Sequence, residues 1–102
     1  MSKAYAVVIG IEKYFNKAIE GVPYAQADAV AFADVLEKNL GVPKSSITLL
    51  LNEAAHKAEI EDQLKYIIGG LDESDKFHFF YAGHGLWAGG TNRLTTWDTQ
   101  PI

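Results

Sequence analysis

The feature that most constrains the fold is a run of large apolar residues that stops abruptly at two glycines. The segment from Phe77 to Ala82 is apolar except for His78, and Gly83-His84-Gly85 follows it directly. Its aromatic residues favour a β-strand, and its continuity predicts burial on both faces, as in a parallel sheet covered by helices. His84 would then lie at the carboxyl end of a buried strand, where open α/β sheets usually place their active sites. Imidazole suits proton transfer near neutral pH, so His84 is a candidate catalytic residue.

Two more strands precede this run. Residues 5–11 and 46–51 form further apolar, β-branched patterns, and each is followed by a polar segment and an amphipathic helix pattern. The order strand, helix, strand, helix, strand predicts an α/β fold with a parallel sheet, because such crossovers are right-handed. The expected strand order is 2-1-3, which makes the loops 12–23 and 83–92 flank one crevice. His84 would open onto that crevice.

Both helices show a stripe of apolar residues at helical spacing. The first is expected to begin at Pro23 or Tyr24 and to stop before Gly41, with a buried stripe of Ala29, Phe32, Ala33, Leu36 and Leu40. His56 is expected to cap the second, with Glu59 three residues on as in a capping box. The predicted buried face of the second helix is Ile60, Leu64, Ile67, Ile68 and Leu71.

Beyond His84, the pair Gly89-Gly90 predicts the turn of a small hairpin.

Composition excludes several classes of function. The 102 residues predict one domain, 1–102, and 48% of them are hydrophobic, as in a globular chain. A net charge of −4 and scattered basic residues argue against a nucleic-acid partner. No run approaches the roughly 18 apolar residues needed to cross a membrane, and no leader peptide precedes the first strand, so a cytoplasmic location is expected. No cysteine and no spaced acidic cluster is present, so neither a metal nor another cofactor is expected.

Taken together, these segments resemble the caspase and metacaspase-like cysteine peptidases. The similarity lies in Y-A-V-V-I-G-I-E-K-Y, Y-A-Q-A-D-A, I-T-L-L-L-N, F-F-Y-A-G-H-G and L-T-T-W-D-T-Q-P. These motifs follow the family's order over nearly the whole chain, and the segment that contains His84 is the most specific. The resemblance implies the three-layer caspase-like fold, with helices on both sides of the parallel sheet.

The resemblance also implies roles for three residues. His84 would activate a cysteine thiol and protonate the leaving amine, and the backbone N–H of Gly85 would help to form the oxyanion hole. Asp28 matches the helix-start aspartate that metacaspases use to bind a basic substrate residue. The expected activity is therefore hydrolysis of protein or peptide substrates after basic residues.

The chain departs from the family in having no cysteine. It stops before the strand that carries the family's cysteine would begin, so the fold is expected to be incomplete at its C-terminus. One hypothesis is the amino-terminal part of a longer or processed peptidase, with the cysteine in a C-terminal segment or a companion chain. The alternative is an inactive caspase-fold interaction or regulatory module, and a small flavodoxin-like ligand binder comes third. The unpaired third strand also predicts association, including homo-oligomers.

The remaining polar candidates have simpler interpretations. His78 is expected to be structural, and His56 to be a solvated helix cap. The charge of Asp28 would equally suit the positive end of a helix. Glu12 and Asp98 could bind a cation or line the crevice, but solvated surface positions are favoured for both.

Overall fold

A three-stranded parallel sheet with one helix on each face forms the centre of the molecule. The structure is a computed structural model that describes residues 3–88 and 90–100. In chain order its main elements are β1 (Ala4–Gly10), α1 (Ala25–Lys38), β2 (Ile47–Leu51), α2 (Lys57–Gly69), β3 (Lys76–Ala82), β4 (Gly85–Ala88) and β5 (Thr91–Leu94). Short 3₁₀ turns, Lys44–Ser46 and Asn52–Ala55, flank β2.

The strand order is β2-β1-β3, which confirms the predicted topology. Both neighbours run parallel to β1, with Val7 opposite Thr48 on one side and Phe79 on the other. Because β1 lies in the middle, it is the most deeply buried strand, and all five residues from 6 to 10 are buried. The carboxyl ends of β1 and β3 are joined directly by a hydrogen bond from the Ile11 N–H to the Ala82 carbonyl (2.8 Å).

Alternate residues of β1 supply the two halves of the core. Ala6 and Val8 pack with Ala29 and Leu36 of α1, and Phe80 of β3 joins this cluster. On the opposite face, a second cluster gathers residues of β1, β2 and α2, namely Val7, Ile9, Ile11, Tyr14, Leu50, Ala55 and Ile60. The helices therefore cover opposite sheet faces, and the helix–sheet–helix layering expected of a caspase-like fold is confirmed.

The helix ends differ from the predicted ones by a few residues. Tyr24 adopts a left-handed conformation (φ 70°), so α1 begins only at Ala25 and Pro23 precedes the helix. Leu40 lies beyond the end of α1 and is exposed, so its predicted burial is wrong. Ile68 is also exposed, because the face of α2 that packs on the core is formed by Ile60, Leu64 and Ile67.

The outer edge of β3 has no neighbouring strand within the described part of the chain. Phe79 is 43% exposed, so the expected burial of β3 on both faces is wrong at this residue. The reason is that α2 packs against β1 and covers β3 incompletely. A groove of about 520 Å³ lies there, lined by apolar residues of α2 and β3 that include Ile60, Leu64, Phe79 and Tyr81.

The antiparallel strands β4 and β5 form the predicted hairpin, with Ala88 opposite Thr91. Of the two glycines predicted to make its turn, Gly89 lies outside the described residues, and Gly90 has a positive φ (76°). None of the helices in the described ranges is long and apolar enough to cross a membrane.

Candidate functional site

The loops that follow β1 and β3 meet at the carboxyl edge of the sheet, as their topology predicts. The contact is a hydrogen bond of 2.7 Å between Nε2 of His84 and the backbone carbonyl of Glu20. The imidazole is half-buried, so it is held by the protein yet accessible from the crevice. The two loops therefore form one site, with His84 at their junction.

The Glu20 contact assigns the tautomer of His84. A carbonyl oxygen can only accept a hydrogen bond, so Nε2 carries the proton. In the neutral ring, Nδ1 is then the basic nitrogen. Nδ1 has no hydrogen-bond partner among the backbone and side-chain groups that the structure describes. The neutral imidazole can therefore accept a proton at Nδ1.

The backbone of His84 is bound by side-chain hydroxyls on both sides. Its N–H donates to the Tyr14 hydroxyl (2.8 Å), and its carbonyl accepts from the hydroxyls of Thr95 (2.8 Å) and Tyr81 (3.0 Å). The Tyr14 and Thr95 hydroxyls are also 2.8 Å apart. Burial raises the pKa of the Tyr81 phenol, so this hydroxyl stays protonated and can donate.

The two glycines beside His84 have different surroundings. A Cβ on Gly83 would lie 2.7 Å from the Tyr81 hydroxyl and 3.1 Å from that of Tyr14, so the hydroxyls need a glycine there. A Cβ on Gly85 would have the Arg93 carbonyl, at 3.9 Å, as its nearest neighbour. Gly85 begins β4 and is exposed, which leaves its backbone accessible from the crevice.

Asp28 lies in the first turn of α1 and is exposed. No hydrogen bond joins its carboxylate to His84 or to any other residue whose side chain the structure describes. An open groove of about 960 Å³ runs along α1, but its lining includes Glu12, Tyr24 and Asp34 and not Asp28. The structure therefore leaves the Asp28 carboxylate free for a ligand without bringing it against His84.

Glu12 and Asp98 were predicted either to bind a cation, to line the crevice or to lie at the surface. Both carboxylates hydrogen-bond to the start of a helix. Oε1 of Glu12 accepts from the Gln26 N–H in α1 (3.3 Å). Oδ1 of Asp98 accepts from the N–H of Lys57, the first residue of α2 (2.9 Å), and from the Thr96 hydroxyl (2.8 Å). Partial burial would raise the pKa of Asp98, but these hydrogen bonds outweigh it and hold the pKa below 3.8. Asp98 is exposed, as predicted for a surface position, and Glu12 is half-buried; each carboxylate also bonds to a helix start.

The other two histidines do not lie at this site. His56 caps α2 through a hydrogen bond from the Glu59 N–H to its Nδ1 (3.3 Å), as predicted, whereas the Glu59 side chain bonds to Gln63 and leaves the capping box incomplete. His78 lies within β3 opposite Ala6. Within the described ranges, no group of three or more histidine, aspartate or glutamate residues could hold a metal ion.

Sequence patterns did not single out the residues that hold the site together. Tyr14 and Thr95 lie in loops and far apart in sequence, although their hydroxyls meet below His84. Asn52 is another such residue: its Oδ1 accepts from the Glu12 and Lys13 N–H groups (2.9 and 3.2 Å), which orders the loop after β1. Of these three residues, only Asn52 had a local sequence signal, an asparagine at the end of a strand. Asparagine tolerates a positive φ better than most residues, and Asn52 adopts one (51°).

Comparison with known protein families gives a match to the caspase domain of the C14 peptidases over residues 3–101. A search of curated proteins gives no significant match. The matched range includes every strand and helix of the fold and both loops of the His84 crevice. The chain therefore belongs to the caspase domain family of the C14 peptidases.

Proposed function

We propose that this chain is the histidine-bearing part of a caspase-like cysteine endopeptidase, with His84 as its general base and acid. The observation that carries the proposal is the 2.7 Å bond from Nε2 of His84 to the Glu20 carbonyl, because it leaves Nδ1 as the basic nitrogen of a half-buried imidazole. A base oriented in this way is what a thiol nucleophile needs.

The nucleophile must come from outside these residues, since the chain contains no cysteine. The unpaired edge of β3 and the apolar groove beside it are where a further strand could add to the sheet. If that strand runs parallel to β3, a cysteine at its carboxyl end would lie at the same sheet edge as His84. A C-terminal segment or a companion chain could supply it.

In the proposed mechanism, Nδ1 of His84 takes the thiol proton, and the thiolate attacks the scissile carbonyl to give a tetrahedral oxyanion. The backbone N–H of Gly85 donates to that oxyanion. The imidazolium then protonates the leaving amine, which releases the first product and leaves a thioester. Water, deprotonated by His84, hydrolyses the thioester and restores the free thiol.

The proposal is tested by steady-state kinetics on the complete protein with peptide substrates. Replacing His84 by Ala is expected to lower kcat by at least about 100-fold, because the base is lost. His56→Ala is the matched control, since His56 caps α2 and bonds to Glu59. Unchanged turnover in the His84 variant would refute the catalytic role.

We further propose that Asp28 recognises a basic substrate residue. Its carboxylate is exposed and makes no hydrogen bond with the side chains that the structure describes, so it could bind an arginine bidentately or a lysine as a point charge. Asp28→Asn keeps the size and removes the charge. We expect it to lower kcat/KM for an arginine peptide by about 10- to 100-fold and to leave an aspartate peptide unaffected.

Asp34→Asn is the control for general loss of negative charge from α1, because Asp34 is exposed on the same helix and pairs with Lys38 (3.0 Å). A parent enzyme that prefers aspartate peptides would contradict the role of Asp28. So would an Asp28 variant with the same basic preference as the parent.

The absence of cysteine from these 102 residues favours one other function, an inactive caspase-fold interaction or regulatory module. In that case the complete protein would hydrolyse no peptide and would retain its partners after His84→Ala. A cytoplasmic location and the lack of nucleic-acid partners stay predictions.

A further inference from the structure

A closed ring of hydrogen bonds passes through the backbone of His84. Its N–H donates to the Tyr14 oxygen, so the Tyr14 proton is directed at Oγ1 of Thr95, 2.8 Å away. The Thr95 hydroxyl in turn donates to the His84 carbonyl at 2.8 Å. Each hydroxyl thus donates once, and the ring begins and ends on the same residue.

The ring is buried. Tyr14 is 4% exposed and Thr95 is 5% exposed, and Thr95 is the one buried polar residue among those described. In such surroundings an unpaired hydroxyl or amide is costly, and hydrogen bonds in a chain strengthen one another. Any shift of the His84 backbone would break these buried hydrogen bonds, so the ring favours a single backbone position at His84.

One neighbouring residue, Tyr81, supports the ring, and a backbone hydrogen bond also fixes Thr95 within it. The Tyr81 hydroxyl lies 2.9 Å from Oγ1 of Thr95, and its single proton is shared between the carbonyls of Thr95 (2.8 Å) and His84 (3.0 Å). Thr95 itself is fixed by a backbone hydrogen bond from its N–H to the His84 carbonyl (3.1 Å). The segment after β5 is thereby tied to the turn that presents the imidazole.

We infer that Tyr14 and Thr95 are positioning residues, which hold the His84 backbone so that Nδ1 meets the reacting thiol. This inference rests on the proposed catalytic function of His84. Neither hydroxyl bonds to the imidazole, so both act through the backbone. Small displacements of a catalytic group lower the rate of the chemical step, and substrate binding need not change.

The first test compares two substitutions at Thr95 in the complete protein. Thr95→Val keeps the branched shape and removes the hydroxyl, whereas Thr95→Ser keeps the hydroxyl and removes a methyl group. We expect Thr95→Val to lower kcat on the order of 10- to 100-fold with KM within about twofold. Thr95→Ser is expected to retain kcat within about threefold of the parent, because the ring can still close.

The second test uses Tyr14→Phe, which removes the acceptor of the His84 N–H. Hydrogen exchange of the His84 amide is expected to accelerate by about tenfold, a readout that needs no activity. The double variant Tyr14→Phe with Thr95→Val is expected to lose no more kcat than the worse single variant, because either change opens the same ring. Val42→Ala, which trims the core on the opposite sheet face, is the control for lost stability.

The outcomes separate this inference from the proposed function. If His84→Ala abolishes turnover but Thr95→Val matches the parent in kcat, only the positioning inference is overturned. Equal losses in Thr95→Val and Thr95→Ser, or a loss in Val42→Ala of the same size at the same Tm, would also overturn it. If His84→Ala stays fully active, both are overturned.

Discussion

Gly83 and Gly85 flank the same imidazole but meet different requirements. At Gly83, the hydroxyls of Tyr81 and Tyr14 approach so closely that a Cβ would lie 2.7 and 3.1 Å from them. At Gly85, a Cβ would have nothing nearer than the Arg93 carbonyl at 3.9 Å. The first glycine thus leaves room for the hydroxyls that hold His84, and the second begins a strand whose backbone faces the crevice.

Gly83→Ala is expected to destabilise the fold by about 1–3 kcal/mol, because the added methyl group collides with buried hydroxyls that have little room to move. Gly85→Ala is the matched control and is expected to change the free energy of unfolding by less than about 0.5 kcal/mol. Urea unfolding followed by circular dichroism measures both values. Equal stability of the two variants would contradict the close approach at Gly83.

At the scale of elements, side chains from distant loops bond to the first turns of both helices. Glu12, just after β1, accepts from the Gln26 N–H of α1, and Asp98, beyond β5, accepts from the Lys57 N–H of α2. The first N–H groups of a helix lack partners within it, and a negative charge there is favourable. The Glu12 bond also joins the crevice loop after β1 to α1.

Asp98→Ala is expected to destabilise the protein by about 1 kcal/mol at pH 7, as for the loss of a helix cap. Because the folded-state pKa of Asp98 lies below 3.8, its contribution is present above that pH and is lost as the pH falls through the folded-state pKa. The difference in Tm between parent and variant should therefore shrink in acid.

Thermal melts between pH 7 and pH 2.5 measure that difference. Asp62→Ala, on the exposed face of α2, is the control and is expected to leave Tm unchanged across this range. A Tm difference between parent and Asp98→Ala that is independent of pH would show that the carboxylate charge contributes nothing.

At the scale of the whole molecule, β3 is both the strand that presents His84 and an unpaired edge within the described chain. Phe79 is exposed on the face that α2 leaves partly uncovered, beside the groove between α2 and β3. An exposed apolar edge invites pairing with another strand. The proposed catalytic residue therefore lies just beyond the strand whose free edge is the proposed surface for association.

The isolated 102-residue chain is expected to self-associate, and Phe79→Lys should reduce this association, because a charge on an edge strand opposes pairing. Sedimentation velocity over a range of concentrations measures it. Tyr66→Lys is the control, since Tyr66 is exposed on α2 and away from the edge. A monomeric parent chain at all concentrations would contradict the prediction.

The sequence was sufficient for the sheet order and for the place of His84, because strand patterns and right-handed crossovers leave few topologies open. It could not reveal the Tyr14–Thr95 ring, whose members lie in loops and meet only through the tertiary fold. The exposure of Phe79 was also missed. Periodicity predicts which residues are apolar but not how far α2 extends across the sheet.

The central claim, that His84 activates a thiol supplied from outside residues 1–102, is tested most directly by covalent labelling. The complete protein and its His84→Ala variant would be treated with a peptidyl acyloxymethyl ketone that carries arginine next to the warhead, and intact masses measured. The account predicts one inhibitor on one cysteine of the parent and a rate of labelling at least about 100-fold lower in the variant. An unlabelled parent, or equal labelling of both proteins, would contradict it.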